Sequence, residues 1–300
     1  MVKKSLFLVI GLFTFCLFAS ENSIESRLKN IVNTAFVKQN SIDSVVALAT
    51  NNKMLSQKMA KCAVLIKNSI YVEKNHKVLL ESAEKFDAFI HGMYHGDSLL
   101  NLKKETDTQV LDELSEVNEE WINFYTHVKN LYKEDKVDML SYQYIIEHNE
   151  KLLKISHKLT QTIQSKTMFN TSDNQVLVNT LKFADRQKML TQKMLKEKFL
   201  VYTNENKKRN NVKLRGSIIL FRNGLNGLIQ GDKKRGIAPV SNKAILQKLQ
   251  DILTLYNASE ALYIKQNVDM TKMKILTRVD NRLLQLSTEV FSMIQNTLVY

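Results

Sequence analysis

The sequence predicts an all-α protein, built as two tandem antiparallel four-helix bundles, on three observations. Helix breakers are almost absent: beyond residue 20 there is one proline, Pro239, and seven of the eight glycines. No alternating apolar and polar pattern of the kind a strand needs recurs, and Leu, Lys, Glu, Gln and Met dominate. Finally, a short basic phrase is written twice, KMLSQKMAK over Lys53–Lys61 and KMLTQKMLK over Lys188–Lys196, 135 residues apart. The same offset relates Phe86 to Phe221, Gly92 to Gly227, Gly96–Asp97 to Gly231–Asp232 and Trp121 to Tyr256. An offset of 131 then relates Leu152, Leu153, Ser156, Ile163 and Gln164 to Leu283, Leu284, Ser287, Ile294 and Gln295. Such an ordered series indicates an internal duplication, with about one helical turn lost between the third and fourth helices.

Residues 1–20 read as a secretory signal. Lys3 and Lys4 precede an apolar run from Ser5 to Phe18, and Ala19 and Ser20 offer a cleavage point. The run is shorter than the ~20 apolar residues a membrane span requires; an uncleaved anchor is the alternative. The first copy is expected over 21–170, with helices near 23–71, 74–95, 103–133 and 136–169. The second is expected over 171–300, with helices near 173–207, 210–230, 241–267 and 269–299. Ser172 or Asp173, and Ser241 after Pro239, are expected N-caps. Four helices with short connections per repeat form an antiparallel bundle.

The formal net charge is +13. Without Lys3 and Lys4 it leaves 41 basic against 30 acidic residues, which suits small anions or acidic partners. An exported chain with no aromatic–basic stacking platform is not expected to bind nucleic acid. Cys62, the one cysteine beyond residue 20, lies on an apolar arc and reads as a buried thiol with no intrachain disulfide. All six histidines lie in the first half. His91 and His95 are spaced i, i+4, but glycines interrupt that stretch and Asn226 and Gln230 replace the pair in the second copy, so no metal site is expected. Trp121 and Tyr256 read as packing residues. No nucleophile elbow, phosphate-binding glycine loop, zinc-protease helix or paired carboxylate constellation occurs, so no enzyme and no cofactor are expected.

On a helical wheel Leu55, Met59, Cys62, Ala63 and Ile66 share an arc with Val45 and Leu48, which is core. Lys53, Gln57 and Lys61 form a row on another face, with Lys58 and Asn51 between. The second copy repeats this: Leu190 and Met194 inward, and Lys188, Gln192 and Lys196 in a row flanked by Lys193 and Arg186. Met54 and Met189 lie where a second helix could pack. Ammonium groups supply charge and glutamine amides supply directed donors, which together suit a small anion once a neighbouring helix excludes water. The competing reading is a solvated polar face or a helix-packing surface.

The phrase resembles the motif of the PilJ-type domain, the N-terminal region of type IV pilus chemotaxis transducers. That domain is in turn similar to the periplasmic sensor of nitrate/nitrite-responsive histidine kinases. The family pattern runs roughly GRQRMLSQRMAK; here TNNKMLSQKMAK starts at Thr50 and DRQKMLTQKMLK at Asp185. Trp121 with Phe124, and Asn149 with Leu152 and Leu153, resemble further family positions. The resemblance implies a four-helix sensory bundle with the motif on its first helix. In the nitrate sensors the arginine before the methionine holds the anion between paired first helices; Lys53 and Lys188 stand there. Lysine keeps the charge but loses the planar two-pronged donor set. Asn51 replaces the earlier arginine, which survives as Arg186, and Thr50 and Asp185 replace the family glycine; Asp185 would disfavour a nearby anion.

The expectation is therefore an exported, periplasmic sensory module without its own output domain, signalling through a separate membrane sensor or chemoreceptor. The ligand would be a nitrate- or nitrite-like anion held by Lys53, Gln57, Lys58, Arg186, Lys188, Gln192 and Lys193. If the first helices pair side by side, Lys53 and Lys188 face one ligand within one chain. The alternative is a scaffold of a pilus, chemotaxis or respiratory system, with no small ligand.

Overall fold

In a computed structural model of the chain, the described residues are 45–133, 136–167 and 172–296. Residues 1–20, read above as a secretory signal, and the 23–44 portion of the first predicted helix lie outside them. Helix α1 covers residues 45–67. It is followed by α2 (Val72–His95), α3 (Thr108–Lys133), α4 (Met139–Thr167), α5 (Ser172–Tyr202), α6 (Lys207–Gln230), α7 (Lys243–Ile264) and α8 (Met270–Asn296). The fold is an all-α helical bundle, as expected, and the described residues from Val46 onward belong to one compact unit.

Helices α1 and α5 carry the duplicated phrase and run through the interior. Every residue from 59 to 66 is buried, as is every residue from 194 to 201. The predicted core arc holds for Leu55, Met59, Cys62, Ala63 and Ile66, while Val45 and Leu48 are half-buried. Helix α5 packs against α6 and α8, α3 against α2 and α4, and α7 against α6 and α8. Trp121 stacks on Phe86 at 4.3 Å and donates its indole N–H to Asp87. Tyr256 and Phe221, 135 positions on, repeat the contact at 5.1 Å. Cys62 is a free, fully buried thiol.

The local geometry also recurs at that offset. Gly96 and Gly231 end α2 and α6 with φ of +81° at both, each donating its N–H to a glycine carbonyl four residues back. Isolated antiparallel bridges follow, Asp97 with Leu102 and Asp232 with Ile237. This tight turn is why α3 starts at Thr108 rather than near 103. Asp97 Oδ1 accepts from the N–H groups of Leu99 and Leu100, and Asp107 Oδ1 then caps Val110.

With ψ near 150° at Gly96 and 158° at Gly231, both lie in a region almost reserved for glycine. A Cβ at Gly231 would also meet the Pro239 ring at 2.8 Å. Gly231→Ala should therefore cost about 2 kcal/mol, read as a lowered urea midpoint at unchanged m-value. Gly216→Ala, inside α6 with nothing within 4 Å of an added Cβ, is the contrasting control and should stabilise by up to about 1 kcal/mol.

Two helix ends differ from expectation. The first and fifth helices stop at 67 and 202, short of the predicted 71 and 207, because Ser69, Tyr71, Asn204 and Asn206 take left-handed backbone. Buried asparagines hold both breaks: Asn75 Nδ2 donates to the Ile70 carbonyl at 2.7 Å, and Asn210 Nδ2 to the Glu205 carbonyl at 2.6 Å. The cap of α7 is Asn242, not Ser241, since its side chain accepts from the N–H groups of Ala244 and Ile245. The predicted capping by Ser172 or Asp173 lies next to residues outside the described set.

Candidate functional site

The duplicated phrase meets itself at the centre of the molecule, where the row expected on a ligand-facing side is buried. Gln57 and Gln192 are fully buried, and Lys61 and Lys196 are 3% and 2% exposed. Lys61 reaches Asp280 on α8 at 3.0 Å. Its counterpart Lys196 donates to Gln57 Oε1 at 2.8 Å and to Asn149 Oδ1, on α4, at 2.6 Å. Asn149 and Asp280 are related by the 131 offset, so each lysine crosses to the fourth helix of the other half. Gln57 Nε2 donates to the Asn149 carbonyl at 3.2 Å, and Gln192 Nε2 to Asp280 at 3.5 Å. Burial pushes the Asp280 carboxyl up against the pull of Lys61. Burial pulls Lys196 down to about 8, with Glu197 opposing. Through Asn149 and Asp280 these four side chains tie α1 and α5 to α4 and α8 and fix the register of the helices.

Lys53 and Lys188 do converge, but on a residue of the chain itself. Lys53 Nζ lies 3.1 Å from Asp185 Oδ2 and Lys188 Nζ 3.2 Å from Asp185 Oδ1. Lys188 also sits over the Phe291 ring at 3.7 Å, and burial above all pulls its ammonium down. Asp185, standing where the family motif has glycine, places its carboxylate between the two lysines.

Beside that bridge lies a cleft of about 550 Å³ between α4 and α5, with Lys53 of α1 at its edge. Its wall from α5 carries Lys182, Phe183, Asp185, Arg186, Met189 and Lys193. The α4 wall carries Glu150, Leu153, Lys154, His157, Gln161 and Gln164, a stripe at helical spacing. The carboxylates are already engaged: Asp185 by Lys53 and Lys188, Glu150 by Lys213 at 2.6 Å and Lys193 at 3.6 Å. Lys154, Lys182 and Arg186 make no ion pair among the described residues. Burial, then Lys53 and Arg186, pulls the His157 imidazole down; burial and Lys53 do the same to Lys182, and burial and Arg235 to Arg186. Positive charge from Lys53 thus bears on both Lys182 and His157, and an anion entering the cleft would relieve that repulsion.

The seven residues expected to bind a ligand thus separate. Lys53, Arg186 and Lys193 line the cleft; Lys188 sits behind it, on Asp185; Gln57 and Gln192 belong to the buried centre. Lys58 lies in a separate crevice toward α2 and α8. Reading the phrase alone misses Lys154, His157 and Lys182. Their signal is the stripe on α4 and the Lys182, Arg186, Met189, Lys193 series on α5. Among the described residues no three His, Cys, Asp or Glu side chains gather as metal ligands, and no helix is long and apolar enough to cross a membrane.

An all-helical bundle with a polar lock at its centre and a basic cleft in its wall is the class of protein this geometry defines. Residues 35–144 match the family described as type IV pili methyl-accepting chemotaxis transducer N-term, PilJ, and the chain carries a PilJ domain there. That is a chemotaxis-related sensory family, not an enzyme family. No curated protein matches the chain.

Proposed function

We propose that the chain is a periplasmic sensory module that binds an organic anion in the α4–α5 cleft and passes its state to a separate membrane chemoreceptor or sensor. In this reading the segments 21–170 and 171–300 are two copies of one PilJ-type unit, fused so that their first helices pair within one chain. The observation that carries it is the cleft, with three unpaired cations set beside the apolar Leu153, Phe183 and Met189. At about 550 Å³ it is far roomier than nitrate or nitrite needs, and Asp185 already bridges the lysine pair that would hold either. A carboxylate with a hydrocarbon body fits both the charge and the wall. Such a ligand competes with Asp185 for Lys53, and so loosens a bridge between α1 and α5; that is the change a partner would read.

Thermal unfolding of the full chain with nitrate, nitrite, phosphate and carboxylates of increasing apolar size tests this. A carboxylate at 100 times its Kd should contribute about 2.7 kcal/mol, a rise of roughly 5 °C or more. Lys53→Met and Arg186→Met should each abolish the rise. If no carboxylate shifts the transition, the cleft is not a ligand site. The scaffold reading is favoured by one observation, the exposed Val212, Ile219 and Leu220 on α6, and it would then stand.

A further inference from the structure

The two halves each hold a second, smaller hollow where the first helix of the half turns into the next. In the second half it has about 140 Å³ and is lined by Glu147, Glu150, Lys196, Arg209 and Lys213 among others. In the first half it has about 160 Å³ and lies against α1, α2 and α8. Lys61, Lys74 and Asn75 of that crevice correspond to Lys196, Arg209 and Asn210 at the 135 offset, and Asn281 corresponds to Glu150 at 131. The hollows are the same place built twice, but their charges differ.

In the second half a carboxylate of the hollow itself, Glu150, pairs with Lys213, and Glu197 stands beside the neighbouring Lys193. Lys193 lies 3.6 Å from Glu150 and 3.4 Å from Glu197, and Lys213 lies 2.6 Å from Glu150. At the matching positions of the first half stand Lys58, Asn281, Cys62 and Val78, so both carboxylates are missing. Three lysines, Lys58, Lys61 and Lys74, line that crevice with no carboxylate among its lining residues. Asp280 holds Lys61 from behind, whereas Lys58 and Lys74 make no ion pair among the described residues. Burial, then Lys61 and Lys85, pulls the Lys58 ammonium down. The crevice also faces the first turn of α2, whose N-cap Tyr71 makes no side-chain cap hydrogen bond, an end that favours negative charge.

We propose that the first-half crevice binds a small inorganic oxyanion, of the size of nitrate, phosphate or sulfate, between Lys58, Lys61 and Lys74. It takes the place that the Glu150 carboxylate fills in the second half, and it is a different site from the α4–α5 cleft. A crevice of about 160 Å³ accommodates such an ion with a few waters and excludes a larger organic acid.

Titration calorimetry of the full chain with sodium sulfate, phosphate and nitrate, in chloride-free buffer at low ionic strength, tests this. Saturable binding of at least one ion is expected. Lys58→Met and Asn281→Glu, which installs the second half's own carboxylate, should weaken it tenfold or more, and Lys74→Met, a surface change that leaves folding intact, severalfold. Lys53→Met and Arg186→Met, which alter the cleft, should leave it unchanged. An unaltered transition in thermal unfolding shows that Asn281→Glu is folded. Absence of saturable binding, wild-type affinity in Lys74→Met and Asn281→Glu, or loss in the cleft variants instead, overturns the proposal.

Discussion

Asp280→Ala should destabilise the fold by about 3–5 kcal/mol, the range seen when one member of a buried ion pair is removed. Asp280 is fully buried, and its Oδ2 faces Lys61 at 3.0 Å and Gln192 at 3.5 Å. Without it the Lys61 ammonium keeps, among the described residues, only Asn281 Oδ1, at 3.5 Å, as an acceptor. Asp280→Asn should cost less, because it recreates the arrangement the other half already has, in which Lys196 donates to Asn149. The double change Lys61→Met with Asp280→Leu should recover most of the loss, since hydrophobic replacement of a buried pair is often neutral. Urea unfolding followed by circular dichroism gives the order directly. A loss for Asp280→Ala within about 1 kcal/mol would show that water reaches the pair and that it locks nothing.

The crossed pairs also show why the centre was hard to read from sequence. A row of Lys, Gln and Lys at i, i+4 and i+8 looks the same on a wheel whether it faces solvent, a ligand or another helix. Only the packing of α1 beside α5 decides, and that depends on contacts more than 130 residues apart. The fold was more legible. Missing breakers and helical periodicity give the all-α class, and Gly96 and Gly231 mark two turns because only glycine takes their backbone without strain. The breaks at 68–71 and 203–206 carry no such mark, since Ser69, Tyr71, Asn204 and Asn206 take the left-handed backbone with support from asparagine side chains. In the cleft, Lys53 and Arg186 were within reach of the motif. Lys154 and His157 were not, because a polar stripe on α4 does not say which neighbour it faces. Asp185 was legible as a departure from the family glycine, and its effect follows: the chain supplies its own anion to the lysine pair.

Lys196 should make stability depend on pH in the alkaline range. Its folded pKa is about 8 against an ordinary 10.5, chiefly because burial disfavours the ammonium. Below pH 8 the lysine is protonated in both folded and unfolded chains, and the cost of burying the charge is fully present. Between 8 and 10.5 the folded chain releases the proton while the unfolded chain still holds it, so stability rises with pH; above 10.5 the gain is complete. At about 1.4 kcal/mol per pH unit the rise amounts to roughly 3 kcal/mol at most. Lys198, also pulled down to about 8 by burial, contributes to the same window. The difference between the wild-type and Lys196→Met stability curves therefore isolates Lys196. That difference should grow in favour of the wild type from pH 8 to 10.5, because the folded lysine sheds its proton there while the unfolded one keeps it, and methionine has none to release. A difference flat across the window would mean that the Lys196 ammonium is solvated, and that the lock between α1, α4 and α5 is looser than its 2.6 and 2.8 Å contacts indicate.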